Sequence, residues 1–356
     1  MNTNHEPINL FEFESAARER LPKVEYDYIA GGATDEISVE RNRRAYESWA
    51  LRPRVLHDVS ALDLSTTVLG AKVSLPVLIA PCGGHQKAHP EGEFATYRAA
   101  TTCGTVFAVS ANASADFEEL ATAASGRRWL QLYPFRDKEM TKDWLRRAKD
   151  AGYEAVCLTL DSQWPSKRER NIRNGYRNLR GVNFPKTGGD AARGRPGAHP
   201  GGGDPAATWK DLEWIKSIAA LPVVAKGIMT GEDAELCEEA GADAIIVSNH
   251  GGRHLDNTLA TIEVLSEVVI AVKGKTEIYL DGGIQRGADV VKAIALGARA
   301  VFIGRPLFWG LAVGGEQGVV RVLNILREEI ELTMAKCGRP TIASIDATVV
   351  VKALRL

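Results

Sequence analysis

Cysteine is sparse in this sequence and nowhere paired. The five residues, Cys82, Cys103, Cys157, Cys237 and Cys337, are scattered, odd in number and without a C-x-x-C spacing. That argues against a disulfide framework or a thiolate zinc site and suits a reducing compartment. No apolar run reaches the roughly 18 residues of a spanning helix, so no membrane segment is expected. Neither sign of charge prevails: 44 Lys and Arg stand against 45 Asp and Glu, for a net charge of −1. Such a balance gives no field to attract nucleic acid or an anionic membrane. His85, His89 and His199 show no metal-ligand spacing and read as surface or structural residues, so no metal is expected. The first residues carry no basic stretch followed by an apolar one, and Leu354-Arg355-Leu356 lacks the small residue of a peroxisomal address. A cytoplasmic protein is the expectation.

What is present is a rhythm. Residues 1–70 read as a mostly helical arm, with helices over Phe11–Leu21 and Val24–Ala30 and a turn-rich stretch from Leu51 to Leu69. Eight short apolar runs then follow: Val77–Ala80, Thr105–Val109, Trp129–Leu132, Ala155–Leu160, Val223–Ala225, Ala244–Val247, Glu277–Leu280 and Ala300–Ile303. Amphipathic segments such as Lys138–Ala151, Glu232–Ala240 and Arg286–Leu296 lie between them and end on Gly152, Gly241 and Gly297, where a helix C-cap belongs. Continuous apolar strands alternating with helices mean parallel strands buried on both faces. The spacing predicts an α/β fold in which residues 71–356 form a closed (β/α)8 TIM barrel, with a doubly wound open sheet as the alternative. After the fourth strand runs a Gly/Pro-rich loop over about residues 175–208, long enough to read as a mobile cover.

Active sites of such barrels are built where the strands end. Strand six opens into Ser248-Asn249-His250-Gly251-Gly252-Arg253-His254-Leu255-Asp256, which sets an imidazole three residues from a guanidinium. His250 with Asp161, at the end of strand four, fits a base and its orienting carboxylate. Arg253 and Arg168 fit a carboxylate clamp. Tyr28 and Tyr133 offer phenols to a developing oxyanion. His254 reads as a neighbouring loop residue. Lys226, ending strand five, suits either a Schiff base or a positive charge beside an electron-accepting ring. Asp281-Gly282-Gly283 and Gly304-Arg305-Pro306 end strands seven and eight, where glycines let backbone amides approach a phosphate that an arginine completes.

Together these motifs resemble the FMN-dependent L-α-hydroxy acid oxidases and dehydrogenases. The resemblance runs from about Leu21 to Arg339 through Tyr26-Asp27-Tyr28, Arg52-Pro53-Arg54, Ala88-His89-Pro90-Glu91-Gly92-Glu93, Gln131-Leu132-Tyr133, Lys226-Gly227, Ser248 to Asp256, Leu280 to Gly283 and Ile303 to Pro306. It implies oxidation of an L-2-hydroxy acid to the 2-keto acid, with oxygen reoxidising FMN and yielding peroxide, in a homotetramer. By the same resemblance His250 is the base, Asp161 its partner, and Arg253, Arg168 and Tyr28 the carboxylate site, with Tyr133 near the hydroxyl. Lys226, Gln131, Thr159 and Ser248 would contact the flavin ring, and Asp281, Gly283, Gly304 and Arg305 its ribityl chain and phosphate. Pro81, Cys82, Gly83, Ser110, Gly282 and Gln285 complete the cofactor set.

The departures from the family pattern are themselves expectations. Asn112 stands where members such as glycolate oxidase carry a tryptophan, which predicts a wider, more polar substrate pocket, with Trp164 a candidate to refill it. Gly83 replaces a usual alanine and raises the alternative of a monooxygenase that decarboxylates its keto acid; a dehydrogenase with another acceptor is a further alternative. Gln285 replaces a usual arginine, so one phosphate contact is expected to be weak or taken over by Arg286. A non-redox barrel isomerase would use the same glycines to hold a substrate phosphate.

Overall fold

A computed structural model describes residues 6–176, 181–184 and 202–353. Most of the connection read as a cover lies outside the described residues. The arm comprises α1 (Leu10–Arg20), α2 (Lys23–Ala30) and α3 (Ile37–Arg44), followed by β1 (Trp49–Leu51) and a hairpin of β2 (Thr66–Val68) and β3 (Ala71–Val73). The sequence reading missed α3 and the hairpin. The hairpin turns on Leu69 and Gly70, both at positive φ (47° and 76°), the geometry of a tight two-residue loop.

Eight parallel strands close into a barrel in chain order: β4 (Val77–Ile79), β5 (Val106–Val109), β6 (Arg127–Leu132), β7 (Ala155–Thr159), β8 (Val223–Ile228), β9 (Ala244–Val247), β10 (Glu277–Leu280) and β11 (Ala300–Ile303). Every predicted run is one of these strands, and the open sheet is excluded because β9 pairs with β10 and β11 with β4. The intervening helices are α4 (Gly92–Thr102), α5 (Phe117–Thr122), α6 (Lys138–Asp150), α7 (Glu169–Arg173), α8 (Trp209–Ala219), α9 (Gly231–Glu239), α10 (Thr261–Ala271) and α11 (Gly287–Ala295). Gly152, Gly241 and Gly297 end three of them at positive φ, as their positions predicted. The last helix, α12 (Arg305–Lys336), breaks at Gly314-Gly315, and β12 (Val350–Lys352) returns to pair with β1.

Two apolar layers hold this together. Outward-facing strand residues pack under the helices; inward-facing ones fill the lumen with Trp129, Tyr279 and Phe302, whose rings lie 5.8–6.0 Å apart. Val68 and Val73 of the hairpin join the lumen cluster and stop the N-terminal end of the barrel. The C-terminal end is left open for α2 and α3 to border. His85 is fully buried against Phe107 and Phe308, and His89 packs where α12 breaks, its Nε2 2.9 Å from where a Cβ on Gly315 would stand. Both are structural, as expected; His199 lies outside the described residues.

Gly282 and Gly283 follow β10 with φ of 95° and 80°. A Cβ on Gly283 would lie 2.0 Å from the carbonyl oxygen of Asn42 in α3. The second glycine is therefore demanded by the approach of the arm as well as by its dihedral. Gly283→Ala is expected to destabilise the protein by several kcal/mol more than Gly70→Ala, which meets nothing within 4 Å and carries only the left-handed backbone cost of about 1–2 kcal/mol. Urea unfolding midpoints of the two variants check this.

Candidate active site

At the open end lies a cavity of about 700 Å³. Its wall draws on the ends of β4, β5, β6, β8, β9, β10 and β11 together with α2 and α3. Nearly all residues singled out in the sequence face it or support those that do.

Its floor is a buried polar network. The Lys226 ammonium donates to Ser248 Oγ at 2.8 Å and lies 3.3 Å from Asp281 Oδ2. Ser248 Oγ donates in turn to Asp281 Oδ2 at 2.9 Å and accepts from the His250 backbone N–H at 3.1 Å. Burial alone would lower the Lys226 pKa, but the Asp281 and Asp161 carboxylates outweigh it, and the ammonium is held above its ordinary value. A charged lysine held by Ser248 and Asp281 favours the second sequence reading, a fixed positive charge, over Schiff-base chemistry. Gln131 forms a second network. Its Nε2 donates to Thr159 Oγ1 at 3.0 Å, and its Oε1 accepts from Ala111 N at 3.0 Å and Ser110 Oγ at 3.3 Å.

His250 Nδ1 lies 2.9 Å from Asp161 Oδ1. Two backbone features make that pairing. Gly227 forms a bulge in β8, and a Cβ there would stand 2.7 Å from Asp161 Cβ and Cγ; only a glycine admits the carboxylate. His250 itself has φ of 56°, an uncommon conformation for a residue with a side chain. The loop around it is fixed by a reciprocal amide pair between Asn249 and Asn42 at 2.8 Å, and by Asn249 Oδ1 accepting from Gly252 N at 3.2 Å. Asp256, at the end of the motif, accepts from Ser38 N at 2.8 Å and Thr34 Oγ1 at 2.9 Å. It anchors α3 and takes no part in the cavity. His254, read as a neighbouring loop residue, stands edge-on to the His250 ring with centroids 4.1 Å apart. Burial raises the Asp161 pKa against the opposing pull of Lys226 and His254.

Three arginines cluster around the same cavity. Arg253 donates to Gly31 O at 2.7 Å and Ile29 O at 3.2 Å and stacks over Tyr28 at 5.2 Å. Arg305 donates to the carbonyls of Ile29, Ala30, Gly31 and Gly251 at 3.0–3.2 Å. Arg168 is buried and donates to Ser166 Oγ and the Arg253 carbonyl. Burial first, and the neighbouring Arg253 second, lower the pKa of both Arg168 and Arg305. Tyr133 is pushed up to about 12 by burial and the nearby Asp161, so it is a phenol throughout the physiological range. Burial likewise pushes the Cys82 thiol up to about 11.

Three expectations need correction. Trp164 is 67% exposed and is not part of the cavity wall, so it does not replace the missing tryptophan. Instead Gly181 and Val182 pack beside Asn112: a Cβ on Gly181 would fall 2.7 Å from Asn112 Cα, and Val182 N donates to Ala113 O at 3.1 Å. Arg286 does not take over from Gln285. It pairs with Glu329 at 2.6 Å and stacks over Phe11 at 5.0 Å, off the cavity wall. The cation that does line this end is Arg43 of α3, bonded to Asp289 at 3.2 Å; no spacing in the sequence marked it. The monooxygenase alternative raised at Gly83 presumes room beyond this glycine that the fold does not leave. A Cβ there would stand 2.9 Å from Asn112 Cβ, so the glycine is what lets the Asn112 loop approach.

The cavity suits a flavin nucleotide. Asp281 Oδ1 and Gln285 Oε1 are buried without a hydrogen-bond partner among the described residues, acceptors placed for hydroxyl groups such as a ribityl chain carries. Clustered guanidiniums suit a phosphate, and Lys226 a ring that gains negative charge. An imidazole held by a carboxylate, in one cavity with clustered arginines and such a cradle, fits a cofactor-dependent barrel enzyme working on a carboxylic acid.

Comparison with known proteins bears this out. Residues 17–352 match the family described as FMN-dependent dehydrogenase. The chain is 44% identical to glycolate oxidase 1 of Oryza sativa subsp. indica over 348 residues, covering 96% of this chain and 94% of the relative. It is 44% identical to L-lactate oxidase of Nostoc sp. over 357 residues, covering 96% and 97%. The crystal structure of mandelate oxidase with (S)-2-phenylpropionate superposes with a TM-score of 0.89 at 38% identity, over 99% of this chain and all of the other. The chain belongs to the FMN-dependent dehydrogenase family, and its cofactor is FMN.

Lys226→Met is expected to cost about 3–5 kcal/mol, because it leaves the Asp281 carboxylate buried without its cation. Lys226→Met/Asp281→Leu should recover most of that loss. Denaturant unfolding of both variants, with and without FMN, measures it.

Proposed function

We propose that the protein oxidises an L-2-hydroxy acid to the 2-keto acid with FMN and passes the electrons to oxygen, giving hydrogen peroxide. The observation that carries this reading is the His250–Asp161 pair at 2.9 Å in the same cavity as Arg168, Arg253 and Tyr28. When bound, FMN supplies the two-electron oxidation. The residues of the chain do the rest. Arg168, Arg253 and the Tyr28 phenol bind the substrate carboxylate and turn the α-carbon towards His250. His250 Nε2 takes a proton, from the α-carbon or, in a hydride-transfer version, from the hydroxyl. Asp161 holds the imidazole through Nδ1 and stabilises the imidazolium. The Tyr133 phenol bonds the substrate oxygen, and Asn112 faces the substrate side chain.

The cofactor roles we assign are those that the family resemblance implies. Gln131, Thr159, Ser110 and Ser248 serve the ring edge with Lys226, alongside Pro81, Cys82 and Gly83. Asp281, Gly282, Gly283 and Gln285 serve the ribityl chain, and Gly304 and Arg305, with Arg43, the phosphate. Residues 1–70 act as an arm that completes the site; Tyr28 and the carbonyls gripping Arg253 and Arg305 support this. The monooxygenase alternative rested on Gly83, which the contact with Asn112 accounts for sterically. A cytoplasmic homotetramer is the assembly we propose, supported by the reduced, dispersed cysteines and, for the tetramer, by the family resemblance alone; sedimentation velocity checks it.

His250→Ala is expected to slow anaerobic bleaching of the flavin by L-2-hydroxy acids by about 10²–10⁴-fold, the usual worth of a positioned base, with the bound flavin spectrum unchanged. Stopped-flow absorbance measures this, and full bleaching at the wild-type rate would remove His250 from the reaction. On readmitting air, peroxide and the 2-keto acid should appear in equal amounts; carbon dioxide with the shortened acid would instead show the monooxygenase reaction.

A further inference from the structure

One cation on the cavity wall has no part in the reaction just described. Lys87 ends the short helical turn His85–Lys87 that follows β4. Its Nζ lies 5.3 Å from the ring centroid of Tyr28 and 5.2 Å from that of Tyr176; the two rings are stacked at 4.6 Å. Among the described residues its ammonium makes no hydrogen bond and no ion pair. Aromatic rings hold an ammonium in place without neutralising it, so the charge remains available to a ligand.

A second observation falls on the same stretch of wall. Asn112 lines the cavity, and its Oδ1 is buried without a partner among the described residues. An orphaned buried amide is costly to keep unless a ligand completes it. Adjacent glycines bring Asn112 and Lys87 to one place: a Cβ on Gly83 would stand 2.9 Å from Asn112 Cβ, and a Cβ on Gly84 2.9 Å from Lys87 Cε. The loops are tied once more by Gln86 N donating to Ser114 Oγ at 3.4 Å. A half-turn of the Asn112 amide exchanges acceptor for donor at no steric cost, so it can serve the same anion as Lys87.

We infer that the substrate is a 2-hydroxy acid carrying a second carboxylate at the far end of its side chain, with Lys87 pairing that group and Asn112 hydrogen-bonding it. The inference rests on the hydroxy acid reading above. In that reading Arg168 and Arg253 take the carboxylate beside the reacting carbon. Lys87 is then the counter-charge left for the other end of the molecule. A merely hydroxylated side chain would satisfy Asn112 but leave Lys87 alone.

The test compares three L-2-hydroxy acids of equal carbon number in anaerobic flavin bleaching by the FMN-loaded protein: 2-hydroxyglutarate, 2,5-dihydroxypentanoate and 2-hydroxypentanoate. The expected result is a second-order bleaching rate at least about tenfold higher for the dicarboxylate, the worth of one modest ion pair. Lys87→Met should collapse the ratio between dicarboxylate and alkyl acid towards one, and Lys87→Arg should preserve it; reading a ratio removes any loss common to both acids. Rising salt should erode the preference in the wild type. An alkyl or hydroxylated acid that matches or exceeds the dicarboxylate, or a ratio unmoved by Lys87→Met, overturns this inference and leaves the oxidase reading standing. Failure of all three acids, and of the shorter hydroxy acids, to bleach the flavin overturns both.

Discussion

The structure turns on a concentration of positive charge that the protein does not neutralise by itself. Arg168, Arg253 and Arg305 lie near one another, and among the described residues their hydrogen bonds run to backbone carbonyls and one hydroxyl instead of carboxylates. Burial and mutual repulsion lower the pKa of Arg168 and Arg305. Such a cluster becomes tolerable when anions meet it, and the function proposed above supplies two, a phosphate and a carboxylate. Two carboxylates at the site each give one oxygen to a partner inside the protein: Asp281 to Lys226 and Ser248, Asp161 to His250.

That constraint explains the arm. The last turn of α2 presents the carbonyls of Ile29, Ala30 and Gly31, the negative end of a helix dipole, to Arg253 from β9's loop and Arg305 from the end of β11. One helix end thus aligns two arginines from distant strands and delivers Tyr28 to the same cavity. The next helix, α3, locks the catalytic loop through Asn42 and Asp256 and sits so close that Gly283 has no room for a side chain. Stability of the arm and geometry of the site are therefore the same set of contacts.

Much of this was legible in the sequence, for identifiable reasons. The eight strands could be read because parallel barrel strands are buried on both faces and so appear as unbroken apolar runs. The residues at their C-terminal ends were legible as chemistry because the architecture gathers those ends into one site. The arm was harder to read. The hairpin of β2 and β3 is short, and α3 is dominated by charged residues (Ser38 and Asn42 are the ones it buries), so neither offers apolar periodicity. Arg43 and Lys87 were missed for a related reason: single cations outside any motif carry no signal of their surroundings.

The sequence by itself determined the barrel and which side chains stand at its strand ends, among them His250, Asp161, Arg168 and Arg253, since these depend on local pattern. Only the tertiary structure decided how the departures from the family pattern act. Trp164 is exposed, Gly181 backs Asn112, Arg286 turns to Glu329, and Gly83 exists for the sake of Asn112. The last three are contacts between segments remote in the chain. The space around a side chain is set by whatever the fold brings against it, which no local spacing records.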